Sequence, residues 1–245
     1  MDSLLFLAST STSAILGFGF LLGLKHATEA DHLAAVSTMV AERRSVWSSA
    51  LVGGLWGLGH TISLFLAGIF VLVLNFEISE STERWLELGV GVMLTLLGLN
   101  VLRKLLKGGQ FHFHTHEHEG SIHAHPHIHD HPEAEHTITH KAAGNSPRAL
   151  IIGMVHGLAG SAALMLLVIP TIASKTVGLI YIVIFGIGSI GGMMLMSLLV
   201  GLPFHLTASR FNRFNQVLQT CAGIVSITLG LWIIYEKGVG EGLFG

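Results

Sequence analysis

Long apolar runs separated by short polar segments make up most of this chain. An α-helix needs about 20 residues to cross a bilayer, and on that basis the pattern predicts six membrane spans. Their limits are 12–39, 48–75, 85–106, 148–171, 176–202 and 213–236. Composition agrees, because 51% of the 245 residues are hydrophobic and only 11% are charged. The expected fold class is therefore an all-α integral membrane protein.

Basic residues are spread unevenly over the two sides that these spans create. Nine lie after spans one, three and five, and three lie on the opposite side. Since Lys and Arg accumulate in cytosolic loops, both termini are predicted outside and the long connection in the cytosol. We expect a multi-pass protein of the cell (inner) membrane. The nine residues are Arg43, Arg44, Arg103, Lys104, Lys107, Lys141, Arg148, Arg210 and Arg213.

Three short patterns recur in the second half of the chain at nearly constant offsets. Residues 23–26 align with 153–156 at an offset of 130, residues 57–60 with 186–189 at 129, and residues 91–99 with 223–231 at 132. These matches predict two related three-helix repeats. Because three is odd, the repeats would have opposite orientations, which is the inverted-repeat plan of many secondary transporters. The predicted division is 1–106 for the first repeat, 107–147 for the connection and 148–245 for the second repeat.

A seven-residue segment of the first span, directly after Lys25, holds four ionisable residues: His26, Glu29, Asp31 and His32. Such groups inside a membrane face the protein interior or a water path, and they commonly mark functional sites. Two imidazoles beside two carboxylates predict a metal site. The alternative interpretation is a His/Asp pair that only ties helices together.

Helix geometry sets a condition on this site. On a regular helix His26 and His32 are separated by roughly 9 Å of rise and about 120° of rotation, too far to share one ion easily. We therefore predict that the helix is unwound between Gly23 and Asp31, as at transporter binding sites. A continuous helix would instead favour two successive positions along a pathway.

Two further histidines are candidates for the same site. His60 lies in a Gly-Leu-Gly-His-Thr segment whose glycines would let its helix approach the first one closely. His156 occupies the position equivalent to His26 in the second repeat. For His156 a ligand role and a hydrogen-bonded core histidine are both open.

The pattern His-x4-Asp-His, from His26 to His32, resembles the signature of the nickel/cobalt transporter family, and most of all its shorter urease-accessory-type nickel permeases. The Gly-His-Thr element at 59–61 and the His156-Gly157 pair fit these shorter relatives too. The resemblance implies transport of Ni²⁺ or Co²⁺, with His26, Asp31 and His32 essential. The chain departs from the longer uptake permeases in having about six rather than eight spans. It also has Gly160-Ser161-Ala162 in place of their acidic second-half motif.

The donor atoms suit that cargo. Imidazole nitrogen binds Ni²⁺, Co²⁺ and Zn²⁺ well, whereas Mg²⁺ and Ca²⁺ prefer oxygen. The expected cargo is Ni²⁺ or Co²⁺, with Zn²⁺ transport and metal efflux as alternatives, and no catalytic cofactor is expected. The single cysteine, Cys221, excludes an intrachain disulfide and a cysteine-only metal cage. The sequence also lacks the Gly-x4-Gly-Lys-Ser/Thr nucleotide-binding loop, so a primary pump would need a partner chain.

The connection 107–147 holds 11 of the 16 histidines. Composition of this kind predicts a weakly structured segment that binds divalent metals through clusters of imidazoles. We interpret it as a cytosolic metal trap or sensor, and the alternative is a linker whose metal affinity is incidental. The histidines at alternating positions are His112, His114, His116, His118, His123, His125, His127, His129 and His131.

Two other classes of protein are weighed against a transporter. A membrane metalloenzyme is disfavoured because no second acid–base constellation accompanies the histidines. A non-transporting metal sensor or accessory subunit is the stronger alternative. The partners predicted are divalent metal ions, the lipid bilayer and a cytosolic metallochaperone. Nucleic acid is not predicted, since the net charge is -2 and no basic arm is present.

Overall fold

Seven α-helices make up most of the computed structural model. It describes residues 2–41, 43, 45–75, 78–107, 112–118, 121–127, 146–168, 174–208 and 212–243. Side chains at 2–12, 112–118, 121–127, 146, 160–168, 208 and 212 are outside the described set. The helices are α1 (Asp2–His26), α2 (Ala30–Val40), α3 (Val46–Leu72), α4 (Glu80–Leu106), α5 (Ser146–Val168), α6 (Lys175–Ala208) and α7 (Asn212–Tyr235).

Helices occupy all six of the ranges in which spans were predicted. Four are long and apolar enough to cross a membrane: α3, α4, most of α6, and α7 together with the π-helical turn Glu236–Gly240 that follows it. In the other two ranges the described apolar helical stretches are shorter, Ser13–His26 and Pro147–Ala159. The bundle is therefore an all-helical membrane fold. The count of six spans stays a prediction.

The first predicted span is broken into two helices. α1 ends at His26 and α2 begins at Ala30. Glu29, just before α2, has an extended backbone with φ -66° and ψ 151°. The Lys25 carbonyl oxygen at the end of α1 accepts from both the Thr28 backbone N–H, at 2.9 Å, and the Thr28 hydroxyl, at 2.6 Å. The predicted break is confirmed, and the continuous-helix alternative is wrong.

Four helices form a row in the order α1, α6, α3, α5, because α6 packs against both α1 and α3, and α3 packs against α5. α4 and α7 pack against each other beside this row. α2 contacts α6, α7, α4 and α3. The row holds the middle of the bundle together, and the short helix α2 enters it from the side of α4 and α7.

Glycines set the distances between neighbouring helices of the row. A side chain at Gly23 in α1 would collide with the Phe185 carbonyl oxygen in α6. In the same way, a side chain at Gly153 in α5 would collide with the Trp56 carbonyl oxygen in α3. Backbone lies directly against backbone at both places, which is how small residues act in membrane helices.

The long connection contains a β-hairpin. Strands β1 (His112–His118) and β2 (Ser121–His127) pair antiparallel, with His112 opposite His127 and His116 opposite His123. A strand repeats every two residues, and so do these histidines. At these residues the structure differs from the weakly structured segment that composition predicted. The rest of the connection lies outside the described residues, and the division into 1–106, 107–147 and 148–245 stays a prediction.

Gly23→Ala should destabilise the bundle by about 1–3 kcal/mol, because the new methyl group must displace the Phe185 backbone. Gly17→Ala is the matched control on the same helix, since nothing lies within 4 Å of a side chain there. That change should be neutral or stabilising by up to about 1 kcal/mol, because alanine favours a helix. Melting temperatures in detergent would measure both. Equal melting temperatures for the two variants would contradict this account of the packing.

Candidate metal centre

The break between α1 and α2 brings together residues that a regular helix would hold apart. His26 is the last residue of α1 and His32 is the third residue of α2. Their ring centroids are 4.3 Å apart. Asp31 lies between the two helices' histidines in sequence and contacts the His32 ring. The short break between α1 and α2 therefore brings two imidazoles and a carboxylate to the same place.

Two other helices complete a cluster of four imidazoles. His60 comes from α3 and His156 from α5. The His32 and His156 centroids are 4.2 Å apart, and the His26 and His60 centroids are 5.1 Å apart. The structure thus brings His60 and His156, the two further candidates from the sequence, to the residues of the first span.

The cluster is buried at the middle of the bundle. All four rings are at most 1% exposed. His60 is the fifteenth of the 27 residues of α3, a helix long enough to cross a membrane. Since the other rings pack around His60, the cluster lies beside the midpoint of that helix.

Asp31 holds two of the rings in fixed orientations. Its Oδ1 accepts from the His32 backbone N–H at 2.9 Å and lies 3.0 Å from His32 Nδ1. Its Oδ2 lies 2.8 Å from His156 Nε2. A carboxylate is an acceptor only, so each of these ring nitrogens carries the proton. The lone pair of His32 is then on Nε2, free to bind a metal.

Glu29 makes a looser contact with the His26 ring. Its Oε2 lies 3.0 Å from His26 Nδ1, in the geometry of an ion contact and not of a hydrogen bond. Its side chain is 45% exposed, whereas His26 is 1% exposed. The other nitrogen of that ring, His26 Nε2, lies 3.3 Å from His60 Nε2.

Several buried nitrogens of the cluster have no hydrogen-bond partner among the described residues: His26 Nδ1, His32 Nε2, His60 Nδ1 and His156 Nδ1. A buried polar atom without a partner costs roughly 1–3 kcal/mol. Such atoms in a native structure call for an explanation, and an ion is one. With their other ring nitrogens donating to Asp31, His32 Nε2 and His156 Nδ1 carry lone pairs that a cation could use.

The donor atoms form two overlapping groups of three. One group is His26, His32 and His60, and the other is Asp31, His32 and His156, with the atoms of each group within 4.8 Å of one another. Two ligands about 2.1 Å from one ion can be at most about 4.2 Å apart. Small inward movements of the side chains would therefore let either group bind a divalent ion.

Aromatic side chains close the cluster on two sides. The Trp56 ring lies 5.3 Å from His32 and 5.5 Å from His156, and the Phe185 ring lies 5.6 Å from His26. Sequence reasoning missed both residues. A signal was present, because Phe185 follows Trp56 by 129 residues, the offset of the second repeated pattern.

The glycines around His60 pack differently from the expectation. They were predicted to let α3 approach the first helix. Instead Gly57 faces Ile190 of α6, and a side chain at Gly59 would collide with the Leu150 carbonyl oxygen of α5. The reason is the order of the row, in which α3 lies between α6 and α5. His60 still reaches His26 through its side chain.

The remaining site predictions fall on undescribed parts of the chain. The backbones of β1 and β2 carry His112, His114, His116, His118, His123, His125 and His127, but their side chains are not described. His129 and His131 lie outside the described residues altogether. Metal binding by the connection stays a prediction.

Comparison with known proteins gives relatives that match nearly the whole of this chain. The chain is 39% identical over 231 residues to the urease accessory protein UreH of Bacillus sp. (strain TB-90), covering 94% of this chain and 95% of UreH. It is 32% identical over 90 residues to the high-affinity nickel transport protein of Cupriavidus necator, covering 36% of this chain and 25% of that protein.

A plant protein is a more distant relative. The chain is 26% identical over 228 residues to the Arabidopsis thaliana chloroplast protein FOR GROWTH AND FERTILITY 2, covering 92% of this chain and 57% of the plant protein. No family model matches the chain, and no solved structure matches it.

Asp31→Asn should weaken Ni²⁺ binding by about 10–100-fold, since an amide has one acceptor oxygen and cannot orient both rings. Glu87→Gln is the control, because its carboxylate is equally exposed and pairs with Lys237 in another part of the bundle. Calorimetric titration of each purified variant with Ni²⁺ would measure the difference. Equal affinity in the two variants would remove Asp31 from the site.

Proposed function

We propose, since the chain belongs to the nickel/cobalt transporter family and to its shorter urease-accessory branch, that it is a secondary transporter for a divalent transition-metal ion. The cargo proposed is Ni²⁺ or Co²⁺. The ion would cross the membrane through the cluster of His26, Asp31, His32, His60 and His156. Glu29 would lie at its edge.

One observation carries the proposal: one ring nitrogen from each of His26, His32 and His60 lies within 4.8 Å of the others, beside the midpoint of a helix long enough to cross a membrane. Polar groups are costly at this depth and persist where they have a function. A passing cation gives them a partner for part of each cycle.

The contacts assign a role to each residue. His26, His32 and His60 are proposed as ligands, because His26 and His60 face each other through Nε2 and His32 keeps Nε2 free. Asp31 is proposed as the group that orients His32 and His156. His156 is proposed as a secondary ligand, since its Nε2 is engaged by Asp31.

The donor set restricts the metal. Three imidazole nitrogens favour borderline cations over Mg²⁺ and Ca²⁺, which prefer shells of oxygen. Zn²⁺ binds the same donors, so it stays the alternative cargo. Because metal binding displaces protons from histidine, transport coupled to a proton gradient is chemically feasible.

The inverted-repeat architecture belongs to the same proposal. Two equivalent contacts support it: Gly23 meets Phe185 between α1 and α6, and Gly153 meets Trp56 between α5 and α3. The glycines are 130 residues apart and the aromatic residues 129 apart. A two-fold relation between the halves would exchange these contacts, and the cluster would lie near its axis.

The orientation proposed follows the basic residues. Both termini would lie outside, and the connection 107–147 would lie in the cytosol. There it would collect metal near the transport site or pass it to a cytosolic metallochaperone. Import and export both fit this arrangement.

An accessory role is the second candidate function. It is favoured by the similarity over nearly the whole chain to UreH, a urease accessory protein. A non-transporting sensor would bind metal at the cluster without moving it across the membrane. Metal flux into liposomes that contain only this protein distinguishes the two functions.

His26→Ala, Asp31→Ala and His32→Ala should each reduce Ni²⁺ and Co²⁺ flux to about a hundredth or less, because each removes a ligand or the group that orients one. His60→Ala should be severe and His156→Ala milder, in line with their proposed roles. Flux into liposomes loaded with a metal-sensitive dye would measure all five variants.

Ser37→Ala is a matched control on α2, because the Ser37 hydroxyl bonds only a carbonyl of its own helix. Its flux should equal that of the unchanged protein. Size-exclusion profiles would establish that the variants remain folded. Full flux in folded His26→Ala, Asp31→Ala and His32→Ala proteins would overturn the transport proposal. A stronger defect in His156→Ala than in His60→Ala would reverse the assigned roles.

Deleting residues 112–140 should retain transport but change its apparent affinity or its response to cytosolic metal, because histidine tracts concentrate ions without fixing one geometry. The deleted segment would be replaced by a neutral linker of adequate reach. A full-length variant with each loop histidine changed to serine separates the effect of histidine from that of length. Complete loss of flux in the folded deletion protein would make the tract part of the permeation path.

A further inference from the structure

The surface beside the buried cluster is polar and open. Lys25, Thr28, Glu29 and Ala30 are all exposed, although they flank His26 directly in sequence. They form the end of α1, the break and the start of α2. We refer to these four residues as the gap.

The gap lies at a depth where lipid is a poor neighbour. His26 packs against His60, whose position is the middle of α3. Residues one to four positions from His26 are therefore near the same depth. Hydrocarbon excludes exposed carboxylates and ammonium groups, and it excludes exposed irregular backbone as well. The gap must consequently face water or another protein surface.

Water fits the chemistry of the gap better than protein does. A second protein surface would have to supply partners for both Lys25 and Glu29, since an unpaired charge in an interface is costly. Water solvates both without any such requirement. Irregular backbone at membrane depth is also tolerated where it lines a water-filled cavity.

The gap also contacts the buried cluster, through Glu29. The Glu29 carboxylate is 45% exposed at one side and lies 3.0 Å from Nδ1 of the buried His26 ring at the other. A divalent cation held by this carboxylate would be beside the first imidazole of the cluster. Carboxylate oxygen is a ligand for a partly hydrated metal ion, and imidazole nitrogen then replaces further water.

We propose that the gap between α1 and α2 is the mouth of a water-filled route to the cluster, and that Glu29 is the first ligand that a hydrated divalent cation meets there. This inference rests on the proposed transport function, and it adds the route and the residue that begins it. The same route serves an ion that leaves the cluster toward that side.

Cysteine labelling tests the route. In a Cys221→Ser background, which removes the single native thiol, cysteine would be placed at Thr28 or, as a second reporter, at Ala30. Leu21→Cys is the matched control, because Leu21 is 61% exposed on the apolar part of α1. Ala35→Cys, at a fully buried position of α2, is the second control. Open membrane fragments would be treated with a charged, membrane-impermeant thiol reagent, with and without Ni²⁺.

Thr28→Cys and Ala30→Cys should react at least about tenfold faster than either control, since the thiolate forms in water and is suppressed in apolar surroundings. Ni²⁺ at about ten times its Kd should slow the reaction about tenfold, because the metal-free fraction then falls to roughly one-eleventh. Removing the carboxylate with Glu29→Gln should abolish or weaken this protection.

Rates at the gap equal to those of Leu21→Cys would overturn the proposal. So would cross-linking of two chains through Thr28→Cys, which would put a second copy over the gap. Fast labelling without protection by Ni²⁺ would overturn the role of the route in metal access. None of these results would contradict the transport proposal itself, which is tested separately by the flux of the His26→Ala, Asp31→Ala and His32→Ala proteins.

Discussion

The cost of removing ionisable groups from water governs this structure. Four buried imidazoles and the partly buried Asp31 carboxylate lie together at the middle of the bundle, where a missing partner is costly. Their contacts with one another offset part of this cost. The Asp31 carboxylate joins the rings of His32 and His156, and this contact links the first span to a helix from the other half of the chain.

That requirement explains the break in the first helix. A continuous helix satisfies its own backbone but holds His26 and His32 far apart. Ending α1 at His26 sacrifices a few helical hydrogen bonds, and the Thr28 and Glu29 backbone N–H groups still donate to the Lys25 and His26 carbonyls. Glycines at the helix contacts have the complementary effect, since they draw the row of helices close enough for four rings to meet.

The sequence was most informative where polar residues interrupt an apolar run. The helix ranges, the break and the candidates His26, Asp31, His32, His60 and His156 could all be predicted, because charge in a hydrocarbon span has few explanations. Trp56 and Phe185 could not be singled out in the same way, since an aromatic residue in an apolar helix looks like any other core residue. Only their shared repeat offset distinguishes them.

Helix neighbours were harder to predict than helices. The glycines next to His60 were expected to face α1 and instead face α5 and α6. A single helix carries small residues on several faces, so its sequence indicates close packing without naming the partner. The hairpin in the connection was missed for a different reason. Its alternating histidines have the period of a strand, but composition suggested a segment without structure.

The three residues between α1 and α2 divide the first span into two separately packed helices. α1 packs mainly on α6, whereas α2 packs on α6, α7, α4 and α3. His26 belongs to α1 and His32 to α2, so an ion bound by both would bridge the two helices. Any rearrangement that separates α1 from α2 would lengthen the metal–ligand bonds of this bridge and release the ion. By the same linkage, an ion that binds favours the arrangement in which α1 and α2 are close. The affinity for the ion and the relative position of the two helices are then coupled through one conformational equilibrium.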